Sequence, residues 1–453
     1  MTSSPRGSPD VLVIGAGPAG LFAAWRMLQE GLSVTVLEAR PRSSFGQRWC
    51  VDVEERYFID GIVPAPAPGV ALEEGHASGL LARPPEGGVR RWSSHRFPIR
   101  TLRLWRLQED LLERVECLGG RVRFGQRVVS LGRDGRGGGT VDTSRRDSVS
   151  AKALVIAAGT RPVDDRTLSR VFGLVGDLVA QECIHAHHDV REIDEQAFIT
   201  APGEFAKVGT VLRFGLGGMQ GFSLEKLACH PGEGRLLCLG ATFPQDGHAG
   251  PREVLASTPS RVAFAGPVLV SGGQPIPLRR ALPALTGRGV ALVGDAGSQV
   301  MPLTGSGTGL SALAALLLAP AMRRYVRTGS AAELWEYSRG YHAEAGAEQL
   351  RQDLVTRLSR RLPAARIQQL ADLGVLQIED FRRVQAEGRM IPRRFLTQAQ
   401  LSRLPGLLKI LDLAPRAAPT VAAVLAVEAL YRTYPKDPAG IGRWGSRVKR
   451  LLF

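Results

Sequence analysis

Val11-Leu-Val-Ile-Gly15-Ala-Gly17-Pro-Ala-Gly20 decides how this chain is read. An apolar run enters a Gly-x-Gly-x-x-Gly turn, and Leu21–Glu30 follows with helical spacing. A β-branched run, Ser33–Leu37, then ends at Glu38. Three spaced glycines alone say little, but between a strand and a helix they describe a turn that cradles a pyrophosphate. Gly15 permits the tight turn, Gly17 lets backbone N–H groups approach the phosphates, and Gly20 lets the helix lie against the strand. The helix N-terminus adds unpaired donors and partial positive charge. The Glu38 carboxylate is placed to accept both hydroxyls of an adenosine ribose. It would repel a 2′-phosphate, which argues against NADP at this turn despite nearby Arg40 and Arg42.

A second glycine-punctuated segment lies far downstream: Val290-Ala-Leu-Val-Gly294-Asp295-Ala-Gly-Ser298-Gln-Val-Met-Pro302-Leu-Thr-Gly305-Ser-Gly307-Thr308-Gly309. It reads as a buried strand ending at Gly294-Asp295, a proline loop, and a helix opened by alternating glycines. Asp295 can hydrogen-bond the ribityl hydroxyls of a flavin, and the glycines admit its ring. The helix N-terminus would stabilise negative charge at the N1–C2=O edge of a reduced flavin.

Together these segments resemble the p-hydroxybenzoate-hydroxylase-fold flavoproteins, which include aromatic monooxygenases, flavin halogenases and geranylgeranyl reductases. Their shared pattern is GxGxxG…E near the start and GDA…PxxGxG in the last half. The resemblance covers about residues 9–345 and implies FAD. Gly15, Gly17, Pro18, Ala19, Gly20, Glu38, Ala39 and Arg40 would surround the ADP half. Gly294 and Asp295 would hold the ribityl chain, and Pro302, Gly305, Gly307 and Thr308 would border the isoalloxazine. Val128, Ala158, Gly159 and an arginine opening a helix complete the expected set; Arg103 and Arg106 both qualify for that arginine, with Arg103 preferred. The Pro302–Gly307 wording is nearest the geranylgeranyl-reductase branch. Ser298 stands where the hydroxylases commonly have His, and Gly309 where Asn is usual. Ala157-Ala-Gly159-Thr-Arg-Pro162 replaces the Asp-Gly of many members, and no halogenase-type WxWxIP occurs.

The implied fold class is α/β: a Rossmann-like FAD-binding domain with an inserted, mainly antiparallel β-sheet substrate domain and a helical C-terminal region. The FAD-binding domain takes 9–60, 101–174 and 286–345. Residues 61–100 supply a loop and substrate-domain elements, with 61–89 read as a long surface loop. The substrate sheet takes 175–285, and 346–453 form helices with a basic tail. The resemblance implies an oxidoreductase acting on a hydrophobic small molecule, with NAD(P)H as a candidate electron donor. The chemistry is either monooxygenation through a flavin C4a-hydroperoxide or double-bond reduction. A non-redox cyclase or scaffold is the alternative. No acid, base or nucleophile is singled out by the sequence.

Two other stretches imitate sites. Gly215–Gly221 mimics a nucleotide turn, but no helical period follows it, so a hairpin of the substrate sheet is expected. His185-Ala-His187-His188-Asp189 lacks matching distant ligands, so a polar strand end is expected and no metal.

Composition agrees with a globular enzyme: 453 residues, 44% hydrophobic and 22% charged. Five cysteines, without a CxxC pair, fit a reducing cytoplasm. The net charge is +15, yet no nucleic-acid-binding motif accompanies it, so no nucleic-acid partner is expected. Arg443–Phe453 combines Trp444 and leucines with basic side chains, a composition suited to peripheral contact with an anionic membrane. Apolar runs such as Ala417–Ala429 fall short of the roughly 20 residues that cross a bilayer, so no transmembrane span is expected.

Overall fold

The structure is a computed structural model. It describes residues 8–452 apart from 72–77, 84–89, 94–97, 135–137, 161–164, 175–181, 201–209, 217–221, 231–233, 244–249, 257–261, 363–365, 367–368, 371, 374, 376–377, 391–408 and 410.

At its centre lies a six-stranded sheet. Its order is Thr286–Gly287, Val290–Leu292, Ala153–Ile156, Val11–Ile14, Val34–Glu38, Arg121–Phe124. Strand Val11–Ile14 runs parallel to both neighbours, with Ile14 opposite Leu37 on one side and Ile156 on the other. All four of its residues are buried, as an all-apolar parallel strand requires. Helix Pro18–Gln29 covers the sheet through Leu21, Phe22, Ala24 and Met27. It packs beside helix Thr308–Thr328, which begins just after the second glycine segment.

A seven-stranded sheet stands beside this core. Its order is Ala265–Pro277, Cys183–Ile193, Arg235–Thr242, Phe222–His230, Thr210–Leu216, Ser78–Arg83, Arg90–Ser93. Pairing is antiparallel except between Thr210–Leu216 and Ser78–Arg83. The stretch expected as a surface loop thus contributes strand Ser78–Arg83 to the sheet, because backbone pairing along Thr210–Leu216 outweighs its Pro- and Gly-rich flanks. Strands Thr210–Leu216 and Phe222–His230 pair antiparallel as a hairpin, while turn residues 217–221 lie outside the described residues. His185–Asp189 lie within the strand Cys183–Ile193 rather than at its end. There His187 Nε2 lies 2.8 Å from Ser271 Oγ, which donates to Asp189 at 2.9 Å. Among the described residues no group of three or more His, Cys, Asp or Glu could hold a metal ion.

Helices Ala331–Tyr341 and Ala347–Arg361 are joined by a π-helical turn, His342–Gly346. Leu350 and Leu354 bury their side chains there, matching the apolar period of this region. A buried ionic cluster ties these helices to the large sheet. Asp353 binds Arg280 at 3.0 Å and Arg357 at 2.8 Å, while Glu182, at the sheet's entry, binds Arg279 and Arg357. The chain ends in helix Ile441–Leu451, which packs Ile441, Trp444 and Val448 inward. One helical stretch, Leu411–Arg432, is long and apolar enough to cross a membrane by length and composition. It outruns the apolar segment read from the sequence, and 17% of its most apolar window is buried.

Candidate flavin site

The C-terminal ends of Val11–Ile14 and Ala153–Ile156 open a crevice, where parallel sheets of this kind bind their ligands. Three glycines of the first turn occupy it for different physical reasons. Gly15 has φ +102°, and a Cβ there would meet Ala157 O at 2.5 Å. A Cβ on Gly20 would lie 2.0 Å from Gly15 O, so that glycine serves helix–strand packing. Gly17 has an ordinary φ of −67°, and a Cβ there would meet nothing within 4 Å. The fold does not need glycine at position 17. A ligand approaching the backbone does.

Glu38 is buried at the end of its strand. Its Oε2 accepts from Ala16 N at 2.8 Å, and its Oε1 accepts from Arg40 N at 2.9 Å and Arg40 Nε at 3.1 Å. The carboxylate therefore braces the glycine turn while keeping acceptor lone pairs for a ribose. Beside it Gln126 is buried, and its Oε1 has no hydrogen-bond partner in the structure. Such an orphaned acceptor calls for a donor from a ligand.

A single cavity of about 690 Å³ runs from Gly17 and Glu38 to Asp295 and on to the substrate sheet. It is lined by Gly15, Gly17, Pro18, Ala19, Glu38, Ala39, Arg40, Val128, Ala158, Gly159, Gly294, Asp295, Pro302, Gly305, Gly307 and Thr308. The two glycine segments, remote in the chain, thus share one space. Gly20 and Arg103 are not on its wall. Gly20 lies beneath the turn, as its packing dictates. The Arg103 guanidinium instead donates to Gly69 O at 2.7 Å and Ala71 O at 3.0 Å, which corrects the expectation that it faces the flavin. Arg103 ends strand Ile99–Arg103 and caps helix Leu104–Cys117, and its side chain reaches the 69–71 turn.

Asp295 lies half-buried on the cavity wall, and desolvation pushes its pKa up to about 6. The loop around it is held by side chains that carry no motif. Gln299 Oε1 accepts from Gly294 N at 2.7 Å, and its Nε2 donates to Tyr337 Oη, which donates to Leu292 O. Gln349 Nε2 donates to Val300 O at 2.8 Å and Ser298 O at 3.2 Å. Ser298 adopts a left-handed φ of +54°, so this network offsets a strained turn. Gly309 is glycine because Tyr57 takes its side-chain space: a Cβ there would lie 2.2 Å from Tyr57 Cδ2.

Glutamines join the first turn to the substrate sheet. Gln108 donates to Ala16 O and accepts from Gln47 N, while Gln47 Nε2 donates to Gln274 Oε1 at 3.4 Å. Trp49 stacks on His188 with centroids 4.9 Å apart and planes 7° from parallel, and both line the cavity. Beyond them the wall is apolar: Ile184, Ala186, Leu239, Ala241, Phe243 and Leu278.

The open cradle at Gly17, the unpaired Gln126 acceptor and the half-buried Asp295 fit an FAD stretched along this cavity. Comparison with known proteins agrees. The FAD dependent oxidoreductase family matches residues 10–50. The chain is an FAD-dependent oxidoreductase, in the fold that geranylgeranyl reductases share with FAD monooxygenases. It is 24% identical to the digeranylgeranylglycerophospholipid reductase of Sulfolobus acidocaldarius, over 98% of this chain and 97% of that protein. A geranylgeranyl bacteriochlorophyll reductase-like protein of Thermoplasma acidophilum superposes with a TM-score of 0.66 at 16% identity, covering 93% of this chain and 99% of that one. A probable FAD-dependent monooxygenase of Pseudomonas aeruginosa superposes at 0.56 with 18% identity, over 81% of this chain and all of its own.

Proposed function

We propose that this protein saturates a carbon–carbon double bond in a long apolar chain, a prenyl lipid or a compound like it. The observation that carries the reading is the apolar wall continuous with the flavin cradle, formed by Ile184, Ala186, Leu239, Ala241, Phe243 and Leu278. Such a wall accepts a hydrocarbon without leaving polar groups unpaired. The full-length similarity to a prenyl-lipid reductase supports it.

FAD, once bound and reduced, supplies the hydride. The chain's own residues do the rest. Glu38 and the first glycine turn anchor the ADP half, and Asp295 holds the ribityl chain. The N-terminus of helix Thr308–Thr328 stabilises negative charge at the ring edge. The apolar wall orients the alkene and excludes water. A lipid substrate also calls for contact with a membrane surface, and the exposed Arg443, Arg447, Lys449 and Arg450 supply the charge for it. Trp444 takes no part in such contact, since it is buried against Tyr431 and Tyr434.

The test is anaerobic reduction of the FAD-loaded protein followed by digeranylgeranylglycerophospholipid. Flavin reoxidation with a product heavier by two hydrogens per double bond is expected. No anaerobic reoxidation, with a hydroxylated product on admitting oxygen, would replace reduction by oxygenation.

A further inference from the structure

Glu54 lies outside the two glycine segments that form the proposed cofactor cradle. It ends strand Cys50–Glu54, opposite Ile99, and is 3% exposed, yet it lies on the cavity wall. Ser306 Oγ donates to its Oε2 at 3.0 Å. Ser306 belongs to Met301–Gly307, the stretch between Asp295 and the helix that begins at Thr308.

The other cavity carboxylates are engaged elsewhere. Glu38 binds Ala16 and Arg40, Asp52 accepts from Thr101 Oγ1 at 2.9 Å, and Asp189 accepts from Ser271 and Arg191. Asp295 sits at the expected ribityl position. Glu54 alone among them is tied to the ring-side loop. Burial raises its proton affinity. Its own backbone N–H, the charge of Arg56 and the Ser306 hydroxyl oppose this, and the charge of Asp52 adds to it. Arg56 spends a guanidinium N–H on Tyr57 Oη at 2.7 Å. On the paired strand Arg100 lies over the Phe58 ring and Arg103 binds the 69–71 carbonyls, while the facing loop Met301–Gly307 carries no titratable side chain. The net effect is a shift toward the protonated form, driven by burial on the cavity wall.

The geometry points to Glu54 as the acid that protonates the substrate alkene, with Ser306 as the positioning residue that aims its carboxyl. This rests on the double-bond reduction proposed above. Addition across a double bond needs a hydride at one carbon and a proton at the other. The Glu54 O–H bond breaks, the π electrons form the new C–H bond, and the O–H electron pair stays on the carboxylate. The hydride fills the neighbouring carbon, and water restores the Glu54 proton along the polar strand face at Asp52 and Thr101.

Wild type, Glu54→Gln, Glu54→Asp and Ser306→Ala are compared as FAD-loaded holoenzymes, with digeranylgeranylglycerophospholipid as the probe in D2O. Glu54→Gln should keep its flavin and bind the probe with unchanged KM, while kcat falls by roughly 10²–10⁴-fold. The protonated-carboxyl infrared band present in wild type should vanish without any turnover. Glu54→Asp should recover part of kcat, and Ser306→Ala should move the alkaline limb of the kcat–pH profile. The saturated wild-type product should carry one solvent deuterium at each reduced bond. Wild-type kcat in Glu54→Gln, or no carboxyl band in wild type, would overturn the Glu54 assignment and leave reduction standing. Failure of wild type itself to saturate the probe would overturn both. If Glu54→Gln does not fold, an unmoved pH profile in Ser306→Ala is the overturning result.

Discussion

A Cβ placed on Gly294 would lie 2.6 Å from the Cβ of Ala19. The two residues belong to glycine segments far apart in the chain, and this contact is where the segments meet beneath the proposed FAD. Gly294 also has φ +66°, a backbone region that L side chains rarely adopt. Gly294→Ala should therefore lose roughly 1–3 kcal/mol of stability from the backbone alone and bind less flavin. Thermal unfolding and flavin absorbance of the purified protein check both. Wild-type values in each would show that the turn relaxes freely.

Gly17 predicts the opposite pattern. Its Cβ would enter open cavity at an ordinary φ, so Gly17→Ala should leave apo stability within about 0.5 kcal/mol of wild type. FAD loading should nevertheless drop at least tenfold, because the methyl group occupies the pyrophosphate's approach. Flavin titration of the apo protein measures this. Unchanged affinity would remove the phosphate cradle from position 17.

Asp295 carries a pH prediction. Its folded pKa of about 6 exceeds the ordinary value near 4, so the folded apo protein holds a proton that the unfolded chain releases. Apo stability should fall as pH rises from about 4 to about 6 and level off above that. By linkage the cost is on the order of 2–3 kcal/mol. Asp295→Asn should be more stable than wild type at pH 7 and indistinguishable at pH 4, yet bind FAD more weakly. Urea melts at several pH values test it. An equal gap at both ends of that range would count against the desolvated carboxyl.

His342 works in the opposite direction. Burial lowers its pKa to about 4, and its Nε2–H donates to Leu282 O at 3.0 Å. A histidine kept neutral by the fold gives stability present above about pH 6.5 and lost as pH falls toward 4. His342→Gln should lower stability at pH 7 by about 1–3 kcal/mol, through a less well satisfied buried group. It should also flatten the decline between pH 6.5 and 4. A decline as steep as wild type's would place the acid sensitivity elsewhere.

The basic face of helix Ile441–Leu451 should bind anionic vesicles in a salt-dependent way. Replacing Arg443 and Arg447 by Glu should weaken that binding by roughly 1 kcal/mol or more per residue. Co-sedimentation with phosphatidylglycerol vesicles at low and high salt measures it. Binding insensitive to both salt and substitution would dismiss the charged face.

The cradle was legible because it is built from backbone. A turn that must admit a phosphate, or pass beneath a ring, has to dispense with side chains, and glycine spacing records that need directly. Glu54, Gln299, Tyr337 and Gln349 left no such mark. Each is an ordinary residue whose role comes from which loop it meets: Ser306 for Glu54, Gly294 for Gln299, Leu292 for Tyr337, Val300 for Gln349. Strand Ser78–Arg83 was read as loop because its partner, Thr210–Leu216, lies far along the chain. Arg103 was placed at the flavin by the family resemblance alone, whereas its guanidinium donates to the 69–71 carbonyls, a contact between segments apart in the chain.

By itself, then, the sequence determined the strand–turn–helix at Val11–Gln29, the acidic end of the next strand and the second glycine segment, all properties of local backbone geometry. Tertiary structure decided that one cavity joins Glu38 to Asp295, that Gly309 yields its place to Tyr57, and that a buried acid faces the ring-side loop. Those depend on burial and on contacts between residues remote in the chain, and desolvation is a property of the folded whole.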